Sequence, residues 1–174
     1  MNKRQFVKLC LTAIGTGFVS LPEQVKAINI TPGSLIDGRV SFGWSHDTHR
    51  VRLSMSAPTA GWLAIGFNEH PGLGNMRFVM AVASEKRPRA EEHLTRNGSH
   101  FDVRKLNLET HLKDLEGAYN GEFSQIRFSL PHSMRHRPTL QLAGGSQTNL
   151  ILAWSQDTDF NHHSAWRKHY PISL

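Results

Sequence analysis

The chain has 174 residues, 39% of them hydrophobic and 20% charged, a globular rather than a disordered composition. Its formal charge of +6 is inflated by the N-terminus. Four of the 20 basic residues (Lys3, Arg4, Lys8, Lys26) and one of the 14 acidic ones (Glu23) fall within residues 1–27, leaving 16 against 13 and a net of +3 beyond them. So small a balance argues against a nucleic-acid binder. The single cysteine, Cys10, leaves residues 28–174 with no disulfide, thiolate metal site or Cys-x-x-Cys-His heme attachment.

Residues 1–27 read as a cleaved signal peptide. Lys3, Arg4 and Lys8 form a positive start, residues 9–21 an apolar stretch, and Val25-Lys26-Ala27 a small-residue cleavage site. Asn2-Lys3-Arg4-Gln5-Phe6-Val7-Lys8 resembles the twin-arginine export motif, with Lys3 replacing its first arginine. An ordinary secretory signal with a basic start is the alternative. Either route predicts a periplasmic or secreted domain covering residues 28–174, enough chain for one core. Past the signal, no apolar run reaches the length of a membrane span.

Period-two alternation dominates the remainder. Val40, Phe42 and Trp44 alternate with polar or small residues, and Val51, Leu53 and Met55 do so again after the polar stretch 46–49, which predicts a hairpin. Residues 62–67 (Trp-Leu-Ala-Ile-Gly-Phe) are apolar on both faces, the mark of a strand buried on both sides. A Gly/Pro-rich loop follows over 68–75, then a strand over 77–83 and a short one over 90–94. Residues 95–121 suggest a long crossover with a helical turn within 107–115. Alternation resumes over 122–130. Leu140 and Leu142 mark a short strand, 150–154 a buried one, and 170–174 an edge strand in which Pro171 is tolerable. About eight strands separated by turn signals predict an all-β, single-domain, immunoglobulin-like sandwich.

Two segments carry more than a generic β pattern. One is Gly61-Trp62-Leu63-Ala64-Ile65-Gly66-Phe67-Asn68. The other runs from Ile151-Leu152-Ala153-Trp154-Ser155 through the acidic turn Asp157-Thr158-Asp159 to His162-His163-Ser164-Ala165-Trp166-Arg167. In this order and spacing they resemble the DOMON family, the sandwich typified by the N-terminal domain of dopamine β-monooxygenase, and the resemblance spans residues 30–174. It implies an extracytoplasmic binding module. Some members hold a b-type heme between two axial side chains and pass electrons to a redox partner; others bind sugars.

The resemblance places one axial ligand at His163 and the other at a methionine in the loop after the Trp62 strand. Counted without gaps, that position is Leu73; Met76 is the thioether at hand, and His70 the substitute. Heme needs axial donors, an apolar slot and cations for its propionates. His163 and Met76 supply the donors, Arg167 the cation, and Trp154, Trp166, Phe67 and Phe78 are candidate walls.

Two other readings stay open. A copper or zinc site would draw on His93, His100, His162, His163 or His169, although none shows i, i+4 or H-x-H spacing. A sugar or small-ligand module would use Trp44, Trp62 or Trp166 as a stacking platform. Nucleophilic hydrolysis has no Gly-x-Ser-x-Gly or cysteine to support it, and Glu91 and Glu92, adjacent on a strand, point to opposite faces.

Overall fold

A computed structural model describes residues 29–31, 33–84, 86–135 and 137–174. The expected signal peptide, 1–27, lies outside them. Fourteen strands are described: β1 (Asn29–Thr31), β2 (Ser34–Asp37), β3 (Val40–His46), β4 (Arg50–Ala57), β5 (Trp62–Asn68), β6 (Arg77–Val82), β7 (Arg89–Arg96), β8 (Ser99–Asp102), β9 (Lys113–Tyr119), β10 (Ser124–Pro131), β11 (Ser133–Met134), β12 (Arg137–Gln141), β13 (Gln147–Trp154) and β14 (Trp166–Ser173). They form two antiparallel six-stranded sheets, ordered β1-β2-β3-β4-β10-β9 and β14-β13-β5-β6-β7-β8, with β11 and β12 as a small hairpin between β10 and β13.

The alternation read from the sequence is what builds the sandwich. In the β3–β4 hairpin Phe42 faces Met55 and Trp44 faces Leu53. Its turn is closed by Asp47, whose Oδ1 accepts from the His49 and Arg50 amides at 3.0 and 2.8 Å, the local bonding that makes aspartate a turn residue. Phe42, Leu53, Met55, Ile126 and Phe128 of the first sheet meet Leu63, Ile65, Phe67, Val79, Leu150 and Leu152 of the second in one buried core.

Strand β5 is buried along its whole length, and this is the feature that positions the site. Its odd-numbered residues Leu63, Ile65 and Phe67 enter the inter-sheet core. Its even-numbered residues lie on the outer face, where Trp62 and Ala64 join Met76, Phe78, Met80, Ile151, Ala153 and Phe160 in a second buried cluster. The outer face of an antiparallel sheet is ordinarily polar and solvated; here its centre is apolar.

The middle of the chain departs from expectation. No helix occupies 107–115. Strand β7 runs on to Arg96 and turns into β8, a single 3-10 turn follows at Val103–Leu106, capped by Asp102, and β9 already begins at Lys113. The crossover between sheets is residues 107–112. It is tied down by a buried ion pair, Arg77 Nε to Glu92 Oε1 at 2.5 Å. The Arg77 guanidinium also donates to the Glu109 carbonyl at 3.0 Å, and Glu92 Oε2 accepts from the His111 amide at 2.6 Å and the Thr110 hydroxyl at 3.0 Å.

Candidate functional site

A cavity of about 510 Å3 opens on the outer face of the second sheet, within the range of roughly 300–1,000 Å3 typical of ligand sites. Its floor is the second buried cluster: Trp62, Ala64, Phe78, Met80, Ile151 and Ala153. Two loops and a hairpin wall it, and each is held by identifiable bonds.

The first wall is the loop after β5. Asn68 Nδ2 donates to the carbonyls of Gly72 and Gly74 at 3.1 and 3.0 Å, curling the loop so that Leu73 and Met76 reach the cavity. The Met76 amide donates to Thr95 Oγ1 at 2.7 Å, and that hydroxyl donates to the Leu73 carbonyl. Gly66 has a steric role here. A Cβ on it would lie 2.8 Å from Phe78 Cβ and 3.0 Å from Met76 Sδ, so only glycine lets these two side chains lie on the strand.

The second wall is the loop between β13 and β14, and the acidic turn shapes it. Asp157 Oδ1 accepts from the Asp159 amide at 2.8 Å, and Asp159 Oδ1 accepts from the Asn161 amide at 3.0 Å. The bond from the Asn161 amide favours ionised Asp159, whose pKa lies below the usual carboxylate value. The Ser155 hydroxyl donates to the His163 carbonyl at 3.1 Å, and His162, His163, Ser164 and Arg167 line the cavity. The loop is anchored to the start of β5, where the Trp62 amide donates to the Asp157 carbonyl and the Ser155 amide to the Trp62 carbonyl, both at 2.9 Å. Gly61 permits that approach: a Cβ there would sit 2.2 Å from Ser155 O and 2.6 Å from Gln156 C.

The third wall is the β7–β8 hairpin, turned by Asn97 and Gly98 at φ 51° and 77°, the pairing that two-residue hairpin turns favour. It presents Thr95, Arg96 and His100. Behind His100 sits His93, buried, with its Nδ1 3.0 Å from His100 Nδ1. The His93 ring stacks on Phe78 at 5.4 Å. Burial, and then the neighbouring His100, push His93 down to about 4; burial lowers His100 as well. Both shifts favour the neutral rings.

Of the residues singled out from the sequence, Met76, His163 and Arg167 line this one cavity, together with Phe78. Trp154 does not. Alternation along β13 turns Ile151 and Ala153 outward, so Trp154, with Leu150 and Leu152, faces the inter-sheet core. Trp166 and Phe67 pack on that core too. His70 and His169 are exposed and outside the cavity lining. His162 stands 3.6 Å from Asp157. Among the described residues no group of three or more His, Cys, Asp or Glu side chains is arranged to hold a metal ion. His100 and Phe160 were not picked out for the heme site. Asn97-Gly98, a strong hairpin signal, would have drawn β7 and β8 together and brought His100 to the sheet face.

The donor set fits a non-covalent heme. It offers two thioethers (Met76, Met80), three imidazoles (His100, His162, His163), an apolar floor in which Ala64, Gly66 and Ala153 leave room, two guanidinium groups (Arg96, Arg167), and the buried Trp62 Nε1, which has no hydrogen-bond partner.

No protein-family model and no curated protein matches the sequence. Among solved structures, the chain is similar to the cytochrome b domain of pyranose dehydrogenase from Coprinopsis cinerea (TM-score 0.58, 10% identity, 77% of this chain and 76% of that one). It is also similar to the cytochrome domain of Myriococcum thermophilum cellobiose dehydrogenase (TM-score 0.56, 12% identity, 83% of this chain and 78% of that one). The likeness shows a shared β-sandwich fold, the all-β architecture expected from the sequence.

Proposed function

We propose that the outer-face cavity binds a b-type heme and that the domain is an extracytoplasmic electron-transfer module. The observation that carries this reading is the apolar, concave centre on the outside of a sheet, ringed by iron donors and guanidinium groups. The shared fold with two cytochrome domains supports it. Heme bound there supplies one-electron transfer. His163 would provide an imidazole from the β13–β14 loop, and Arg167 and Arg96 would meet the propionates. The floor would exclude water, and residues 28–174, having no cysteine, would hold the group without a covalent link. Its redox partner would be another protein or a small donor. Among the described residues no helix is long and apolar enough to cross a membrane.

Purified protein reconstituted with hemin should show the absorption of low-spin heme, and His163→Ala should abolish it, because packing cannot replace an iron ligand. Protein that stays colourless would overturn the reading. A sugar- or small-ligand site would then lead, favoured by the unpartnered Trp62 Nε1 in the cavity floor. The extracytoplasmic part rests on residues 1–27, of which the twin-arginine-like start is one element. Protein recovered from its native host should have the intact mass of a chain beginning at Ile28; a full-length mass in the cytosolic fraction would contradict it.

A further inference from the structure

The β7–β8 hairpin carries a polar arrangement that packing alone does not require. The pairing Thr95↔His100 sets His100 on the outer face beside the cavity. Its Nδ1 is committed to His93 Nδ1 at 3.0 Å, and two ring nitrogens at that distance share one proton. Which ring owns it follows from the far side of His93. There Nε2 is buried, makes no hydrogen bond, and lies 3.3 Å from Glu91 Oε2. At that distance a lone pair on Nε2 would be repelled by the carboxylate, so we place the hydrogen on Nε2. Neutral His93 then has its lone pair on Nδ1, and His100 donates its Nδ1–H to it. The remaining lone pair of neutral His100 is on Nε2, to which no hydrogen bond is made among the described residues.

This is the arrangement that prepares a histidine to bind a metal: one nitrogen donates to a fixed acceptor, which sets the tautomer and aims the other. The rings are held in place as well. His93 stacks on Phe78 with the planes 25° apart and meets Phe160 edge-on at 6.2 Å, and His100 meets Phe78 edge-on at 5.6 Å. Met76 is placed differently. Its Sδ and Cε lie 3.0 and 3.5 Å from where a Gly66 Cβ would be, so the thioether lies against the strand and its side chain belongs to the buried floor.

Resting on the heme reading above, we propose that His100, through Nε2, is the axial iron ligand that partners His163, in the role the sequence suggested for Met76. Near-infrared magnetic circular dichroism of the ferric, hemin-reconstituted protein separates bis-imidazole from imidazole–thioether ligation. Wild-type protein should give the bis-imidazole band, His100→Ala should lose it and bind hemin at least about tenfold more weakly, and Met76→Leu should retain it. A second measurement needs no heme. In 15N-histidine-labelled apoprotein near neutral pH, long-range proton–nitrogen spectra should show His100 as the Nδ1–H tautomer. Failure of wild-type protein to bind hemin would overturn both this assignment and the heme reading. A thioether band that survives His100→Ala and is lost in Met76→Leu would overturn this assignment alone, as would an Nε2–H tautomer at His100.

Discussion

Gly61 opens the Trp62 motif, and its value lies in what it leaves out. The backbone of residues 155–157 passes so close that any Cβ would strike main-chain atoms, which cannot swing aside as a long side chain can. Nearby, Thr59 ties both segments: its hydroxyl donates to the Ser155 carbonyl and accepts from the Gly61 amide at 2.9 Å. Gly61→Ala should therefore push the β13–β14 loop away and carry His163 with it. The expected cost is about 1–3 kcal/mol, the usual scale for overpacking, together with weakened hemin uptake. Urea denaturation and a hemin titration measure the two effects. Unchanged stability with unchanged uptake would show that this contact does not position the loop. The glycine stood in the sequence within a recognised motif, but its neighbour lies about a hundred residues away along the chain, and nothing in a local pattern reveals such a contact.

At the level of elements, legibility followed from how many signals agreed. Strands β3, β4, β5, β10 and β13 were plain because alternation or a continuous apolar run coincided with turn residues at both ends. Strand β9 was not. Its sequence, Lys-Asp-Leu-Glu-Gly-Ala-Tyr, is mostly exposed at the sheet edge, so it carries little hydrophobic pattern. It is held by its ladder to β10, with a register shift between Arg127 and Ser129. The crossover at 107–112 looked helical because it has no strand pattern; what fixes it is the Arg77–Glu92 pair, and a long-range ion pair leaves no period in a sequence. Trp154 shows the opposite failure. Its type suited a cofactor wall, but the parity of β13 had already sent it inward, since Ile151 and Ala153 occupy the outward positions. Face assignment from alternation was the better guide there, whereas Met76 and His163 stand on loops, which carry no alternation, and were named from the resemblance.

Across the whole molecule, the two sheets are joined by polar bonds as well as by the core. Asp37 on β2 accepts from Lys168 Nζ and from the Tyr170 hydroxyl on β14, both at 2.6 Å. Burial alone would raise the Asp37 pKa, but the bonds from Lys168 and Tyr170 outweigh it and hold it below 3.8. Burial, followed by the hydrogen bond to Asp37, pushes the Tyr170 pKa up. For Asp37 the sign is that of a depressed carboxylate. Its contribution is complete above the unfolded value of 3.8, because both states are then ionised. Below 3.8 the unfolded chain takes up the proton first, so stability falls with pH until the lowered folded value is passed. Asp37→Asn should lower stability at neutral pH and flatten the acid limb below pH 4, as read from thermal melts across a pH series. An unaltered acid limb would show that this clasp does not couple the sheets. The position of the cavity has a further consequence for assembly. Among the described residues the space between the sheets is occupied by the chain's own buried side chains, and the cavity described above opens on the outer face of the second sheet, away from that core. The polypeptide should therefore fold without its guest, and occupancy should add to its stability by mass action, roughly 2.7 kcal/mol at a hundredfold excess over Kd. Folding and loading are then separate events, and a chain that has lost its guest should refill without unfolding first.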